Sequence, residues 1–252
     1  MQNFQNILIT GASSGIGEAL AIHYAAAGAK NLFLCGRNAE RLEAVAAECH
    51  KYQTAVHTQV LDVTNRQAVR EWIEECEKTA PLNLVFANAG VATLQETDEN
   101  VYNTFNTNLY GVLNTALPAV EIFKRRKDTN KTIALTSSIA GYHGLMTCPS
   151  YSASKAAVKA WGEAQRLALR PFNINVSVIC PGFVRSRITD KNTCPMPFFM
   201  EAPQAAKIIA ERLEKNIGLI AFPWPMRLAS WLGSVLPARV SEFIYSKLPY
   251  KV

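Results

Sequence analysis

The sequence contains no CxxC pair and no His/Cys cluster at metal-ligand spacing; its six cysteines, at 35, 49, 76, 148, 180 and 194, are scattered. That pattern argues against a structural zinc site and suits reduced thiols in a cytoplasmic protein. No uninterrupted apolar run approaches the length of a membrane span. Met1, Gln2 and Asn3 lead at once into a short apolar strand, unlike the charged head and long apolar body of a signal peptide. No Pro- or Gly-rich linker, fixed repeat or low-complexity tract divides the 252 residues, so one domain over 1–252 is expected. Charged residues are scarce, at 18% against 49% hydrophobic, which excludes a wholly disordered chain and leaves material for a sizeable core. The net charge is +6, a sign that suits a bound polyphosphate or an acidic membrane surface. Its basic residues are dispersed, and the one tight cluster, Lys124 to Lys127, falls at an expected helix end where positive charge complements the dipole. Nucleic acid is therefore not an expected partner.

What is present is a rhythm. Short apolar runs at Ile7 to Thr10, Asn31 to Cys35, Val56 to Leu61, Leu84 to Ala87, Thr132 to Thr136 and Ile174 to Ile179 read as strands. Helical patterns separate them, at about Gly15 to Ala27, Ala39 to His50, Arg66 to Lys78, Glu99 to Phe123 and Ser152 to Leu169. A further helix is expected over 204–215 and a further strand at Leu219 to Phe222. Alternation of this kind predicts an α/β fold: a three-layer αβα Rossmann architecture with a doubly wound parallel sheet of about seven strands. The strands are nearly all apolar, as expected where both sheet faces are covered.

Between the first strand and first helix lies Thr10-Gly11-Ala12-Ser13-Ser14-Gly15-Ile16-Gly17. Glycines permit a tight turn and close approach of backbone N–H groups to a phosphate, and the helix N-terminus adds unsatisfied donors. Gly11, Ser13, Ser14, Gly15, Ile16 and Gly17 are thus candidates for holding a dinucleotide. The second strand ends Cys35-Gly36-Arg37-Asn38, with no acid to take the ribose hydroxyls of NAD(H). Gly36 leaves room, and Arg37 suits an added 2'-phosphate, which favours NADP(H) with NAD(H) as the alternative. Asn38 joins this corner; the lesser alternative is that Arg37 is a solvated first-turn neighbour of Glu40 and Arg41. Asp62 and Val63, after the third strand, are placed to meet the adenine, or Asp62 to form a turn. Asn88-Ala89-Gly90 ends the fourth strand with a polar turn that serves the cofactor or the fold.

Ser138 follows the fifth strand, and Tyr151 and Lys155 stand four apart on an expected helix, sharing a face. A nearby ammonium favours the phenolate and suits the phenol to proton exchange. Ser138 would orient a substrate oxygen, Tyr151 exchange its proton, and Lys155 tune Tyr151 and hold ribose hydroxyls. Read in isolation, the Tyr/Lys pair is ordinary helix surface chemistry.

Together these segments resemble the short-chain dehydrogenase/reductase family, in the group with subunits of about 250 residues. Thr10 to Gly17 matches its TGxxxGxG loop, Asn88 to Gly90 its NAG turn, and Tyr151 to Lys155 its YxxxK pair, with Ser138 thirteen residues before the tyrosine. The resemblance spans roughly residues 5 to 190 and implies an oxidoreductase moving a hydride between a nicotinamide and an alcohol or carbonyl carbon. It adds Asn108 to the catalytic set, through a water held by its side chain or an associated kink. Pro181, Gly182, Val184 and Ser186 become the loop that passes the nicotinamide amide. It also implies a homodimer through the long helices beginning near residues 99 and 152.

Beyond Ser186 the resemblance loosens. Residues 187–215 are expected to form a substrate lid and helix, apolar through Cys194, Pro195, Met196, Pro197, Phe198, Phe199 and Met200, which suits a small lipophilic alcohol or carbonyl compound. His143, Leu145 and Cys148 are further candidates for the pocket wall. Residues 223–252 form a variable extension with an apolar side at Leu228, Trp231, Leu232, Val235 and Leu236, flanked by Arg227, Arg239 and Lys247. Subunit contact, pocket cover and peripheral membrane contact through 223–248 all fit that composition.

Overall fold

The computed structural model describes residues 4–247 apart from 94, 129, 193 and 194. Cys194 of the expected lid, residues 248–252 of the extension and Met1 to Asn3 lie outside the described residues.

Seven strands form one sheet: β1 Asn6–Thr10, β2 Asn31–Gly36, β3 Ala55–Val60, β4 Leu84–Ala87, β5 Thr132–Thr136, β6 Asn175–Pro181 and β7 Leu219–Phe222. All neighbours are parallel, in the order β3-β2-β1-β4-β5-β6-β7. Successive β1 side chains point to opposite faces, and each face has its own core. Ile7 and Ile9 pack with Leu20 of α1 (Gly15–Ala26), Leu42 of α2 (Ala39–His50) and Ile209 of α7 (Ala202–Glu214). Leu8 packs on the other side with Ile73 of α3 (Arg66–Thr79), Val112 of α5 (Gly111–Arg125) and Val158 of α6 (Pro149–Ala168). This is the expected three-layer αβα arrangement. The order reverses between β1 and β4, and a crevice opens there at the carboxyl ends of the strands.

Three local features differ from the reading of the sequence. β3 is an edge strand, and Ala55, His57, Gln59 and Val60 are exposed, so burial on both faces does not extend to it. The helix expected from 99 to 123 is two helices, α4 (Asp98–Phe105) and α5, joined by a π-helical turn at Asn106–Tyr110. α6 begins at Pro149, three residues early, with proline in its first turn, where the missing N–H is harmless. Glu96 Oε1 accepts from Ser150 N at 3.1 Å and Ser150 Oγ at 2.8 Å, placing negative charge at that helix N-terminus. Tyr151 is thereby set in the first turn of α6. After β7 come α8 (Trp224–Val235) and α9 (Ala238–Tyr245). No helix among the described residues is long and apolar enough to cross a membrane.

Candidate active site

The Gly-rich loop is shaped by contacts that exclude side chains. Gly11 has φ +67°, and a Cβ there would stand 2.7 Å from Ala89 Cα. Gly15 has φ +60° and faces Ser186, whose Cβ would lie 2.9 Å from an added methyl. A Cβ on Gly17 would run into the Gly11 carbonyl oxygen, so α1 sits directly against the loop. Ser14 occupies the N-cap of α1 with no side-chain cap bond, leaving first-turn N–H groups for an anion. Gly11, Ser13, Ser14, Gly15 and Ile16 line a cleft of about 360 Å³.

At the far end of the cleft, Gly36 packs on Ser13, whose Oγ would be 2.9 Å from a Cβ at that position. Arg37 Nη1 lies 3.7 Å from Asp62 Oδ2, both side chains substantially exposed. Asp62 Oδ1 accepts from Thr64 N at 2.9 Å and Thr64 Oγ1 at 2.8 Å, so the carboxylate both builds a turn and faces Arg37. Val63 lines the cleft beside it. Asn38 is engaged elsewhere: its side chain accepts from Arg41 N at 2.9 Å and caps α2. Arg41 itself lines the cleft, with its Nε buried and without a hydrogen-bond partner among the described residues. In the sequence Arg41 enters only as a neighbour of a solvated Arg37; its place four residues after Arg37 was the available signal.

Asn88 stitches three strand ends together. Its N–H donates to Thr10 Oγ1 at 3.0 Å, its Nδ2 to Thr10 O at 3.1 Å, and its Oδ1 accepts from Thr136 Oγ1 at 3.2 Å. Its side chain therefore holds the crevice in shape, while Ala89 and Gly90 line the cleft. Asn108 is fully buried in the π-helical turn. Its Oδ1 accepts from Val91 N at 2.8 Å and its Nδ2 donates to Val91 O at 2.9 Å, clamping the segment after Gly90. Of the two devices expected at Asn108, the kink is present as the π turn, and the side chain is occupied by backbone.

Ser138, Tyr151 and Lys155 meet between this cleft and a second cavity. Lys155 is buried, and its Nζ donates to Thr136 O at 2.9 Å and lies 5.7 Å from the Tyr151 ring centroid. Burial pulls the Lys155 ammonium down to about 8. Burial also pushes the Tyr151 phenol up to about 12, while a hydrogen bond from Ser138 acts in the other direction. Desolvation thus outweighs the depression expected from the neighbouring ammonium, which is aimed at the β5 carbonyl. At neutral pH the phenol holds its proton. Ser138 Oγ also accepts from Ala140 N at 3.1 Å, fixing the turn that presents it.

Pro181 ends β6, Gly182 follows it, and Val184 bridges to Met200, pinning the next loop. Thr189, unremarked in the sequence, organises it: its Oγ1 donates to Val184 O at 3.0 Å and accepts from Ser186 N at 2.8 Å. A Ser-x-x-Thr spacing was the available signal. The second cavity, about 690 Å³, is mainly apolar; Leu145, Cys148, Phe183, Pro197, Met226 and Leu236 are among its walls. His143 lines it too, as expected. Ser138 and Tyr151 border both spaces. Among the described residues no cluster of acids, His or Cys could hold a metal ion.

This arrangement offers an anion-binding loop, a basic corner and a proton-bearing phenol beside an apolar chamber. A family model described as short chain dehydrogenase matches residues 5–195. A Myxococcus xanthus protein named an uncharacterised oxidoreductase is 34% identical over 240 residues, covering 93% of this chain and 94% of its own. A 3-ketodihydrosphingosine reductase of Bacteroides thetaiotaomicron is 34% identical over 191 residues, covering 74% of this chain and 66% of its own. The crystal structure of a short-chain type dehydrogenase/reductase from Mycobacterium marinum superposes with a TM-score of 0.79 at 25% identity, covering 92% of this chain and 95% of that one. The chain belongs to the short-chain dehydrogenase family and has that family's general function, an oxidoreductase that binds a dinucleotide and a small organic substrate.

Proposed function

We propose that the protein uses NADPH to reduce a lipophilic ketone or aldehyde, with Ser138, Tyr151, Lys155 and Asn108 as its catalytic group. The observation that carries this reading is the large apolar chamber opening onto Ser138 and Tyr151 beside a cleft that ends in Arg37 and Arg41. The residues fit such a cofactor: the loop admits no side chain at Gly11, Gly15 or Gly17, and the Arg41 guanidinium has a buried N–H in want of an acceptor. Gly11 to Ile16 would hold the pyrophosphate, Val63 the adenine, and Arg37 with Arg41 the 2'-phosphate. Gly90, Lys155, Pro181, Gly182, Val184 and Ser186 would hold the nicotinamide half. When bound, the nicotinamide supplies the hydride.

The protein supplies the proton and the geometry. Ser138 orients the substrate oxygen by hydrogen bonding. A phenol held near 12 is protonated at neutral pH, the form needed to donate to a carbonyl oxygen as hydride reaches its carbon. Lys155, held near 8, exchanges protons close to neutrality and can restore the phenol. Asn108 keeps Val91 and the Gly90 turn in place against Lys155. One relative is named for the reduction of a keto compound, 3-ketodihydrosphingosine, which agrees with a carbonyl substrate. We further read the protein as a cytoplasmic homodimer with peripheral membrane contact through 223–248.

The competing reading is NAD-linked alcohol oxidation, in which Tyr151 removes the hydroxyl proton. Titration with NADPH and NADH, followed by energy transfer from tryptophan to the reduced nicotinamide, separates the two. Loss of charge-assisted bonds in Arg37→Ala should weaken NADPH about tenfold or more and leave NADH nearly unchanged. Tighter NADH binding, indifferent to Arg37, would move the assignment to NAD. Binding of neither by folded protein would favour a non-catalytic regulator.

A further inference from the structure

α8 is apolar on two opposite faces. Met226, Ala229 and Gly233, with Leu236 just past the helix end, face the chamber. Trp224, Leu228, Trp231 and Val235, at helical spacing on the other side, are 73%, 46%, 50% and 58% exposed. α9 continues the outer surface with Val240 and Phe243, the latter 66% exposed. Met146, Leu232 and Ile244 both line the chamber and stand 43–46% exposed, so the chamber reaches the surface through an apolar rim beside this patch. An ordinary aqueous surface does not carry two tryptophans, a phenylalanine and five aliphatic side chains so close together.

From these relations we infer that the outer face of α8 and α9 docks on an anionic lipid surface, and that the rim at Met146, Leu232 and Ile244 is a portal through which a membrane-dissolved substrate enters. Charge selects this occupant. Between 223 and 247 the charged residues are Arg227, Arg239, Lys247 and the single acid Glu242, all exposed around the apolar patch. Basic residues bordering exposed aromatic and aliphatic side chains match a headgroup layer above acyl chains. The portal rests on the lipophilic-substrate reading; the docking does not, since the outer stripe touches neither cleft nor chamber.

The test uses the full chain and vesicles of phosphatidylcholine, alone or with about one-third phosphatidylglycerol. Sedimentation should show binding to the anionic vesicles about tenfold tighter than to the neutral ones. Lipids brominated on the acyl chain should quench tryptophan fluorescence. A Trp224→Ser, Leu228→Ser, Trp231→Ser, Val235→Ser variant should lose vesicle binding about tenfold or more, yet bind NADPH as the wild type does. The portal is read at Cys148, which lines the chamber: anionic vesicles should slow its modification by a charged thiol reagent about tenfold and leave an alkyl maleimide dissolved in the bilayer effective. No vesicle binding by the wild type overturns the docking. A wild-type dimer that the four-serine change converts to monomer, without vesicle binding, assigns the face to a second copy and also overturns it. Docking with unchanged Cys148 reactivity overturns the portal. Vesicle binding by a protein that binds neither NADPH nor NADH would instead remove the enzymatic reading and leave the docking standing.

Discussion

Lys155 Nζ donates to the carbonyl oxygen of Thr136 at 2.9 Å, so a buried ammonium is anchored on the last residue of β5. Burial lowers it to about 8 in the folded protein, against about 10.4 for an unfolded lysine. Between those values the unfolded chain binds more protons, so this group makes stability rise with pH and lose that gain as pH falls back through 8. The buried thiols of Cys35 and Cys49, raised to about 12 and about 11, act in the opposite sense. They do so equally in Lys155→Met. The unfolding free energy of wild type minus that of Lys155→Met should therefore grow by about 2 kcal/mol from about pH 8 to about pH 10. Denaturant titrations across that range check it, and a flat difference would show that the ammonium is solvated.

At the basic corner, Asn38 and Arg41 exchange the roles that chain position suggests. Asn38 caps α2 through Arg41 N, whereas the Arg41 side chain reaches the cleft. Asn38→Ala should cost about 1 kcal/mol of stability and leave the NADPH-to-NADH affinity ratio unchanged. Arg41→Ala should lower that ratio about tenfold with little change in melting temperature. Calorimetry and cofactor titration on the two variants give the comparison; a ratio that responds to Asn38 alone would reverse the assignment.

These examples show which parts were legible in the sequence. The interior strands are covered on both faces, so β1, β4, β5 and β6 announced themselves as apolar runs, while the edge strand β3 carries His57, Thr58 and Gln59. The phosphate loop was legible because positive φ at Gly11 and Gly15, and contact at Gly17, demand that residue type. The π turn at Asn106–Tyr110 was not, because its residues also suit an ordinary helix and the clamp on Val91 is a tertiary contact. Thr136 contributes through its backbone carbonyl, which any side chain would leave in place. The chamber has walls from the 143–148 segment, the loop after β6, and α8 with α9, and only the folded topology brings them together.

The Asn108 clamp separates positioning from simple polarity. Removing the buried amide in Asn108→Ala leaves both the N–H and the C=O of Val91, a half-buried residue on the cleft wall, without these partners. At about 1–3 kcal/mol for a buried group left unsatisfied, and with Val91 only half-buried, the variant should lose about 2 kcal/mol of stability, and activity should fall with it. Asn108→Asp keeps an acceptor for Val91 N but turns a second oxygen toward Val91 O and buries a carboxyl group, so it should be destabilised at least as much as Asn108→Ala. Chemical unfolding provides the measurement. Full stability in Asn108→Ala would mean that water replaces the amide and that the side chain is no clamp.

The expected homodimer has a surface suited to it on the side formed by α4, α5 and α6. Tyr102, Tyr110 and Leu167 are 71%, 55% and 73% exposed there, and Leu117, seven residues beyond Tyr110, is 40% exposed. Large side chains of this kind stay in water at a free-energy cost that a subunit contact would remove. Glutamates at two central positions would have to be desolvated in such a contact, so Tyr110→Glu with Leu117→Glu should weaken association about a hundredfold or more. Neither residue borders the cleft or the chamber, and the folded monomer should keep its NADPH affinity within about threefold. Light scattering over a dilution series distinguishes the outcomes. A mass that stays dimeric in the double variant, with an unchanged circular dichroism spectrum, would place the subunit contact elsewhere, with the α8–α9 face the first to examine.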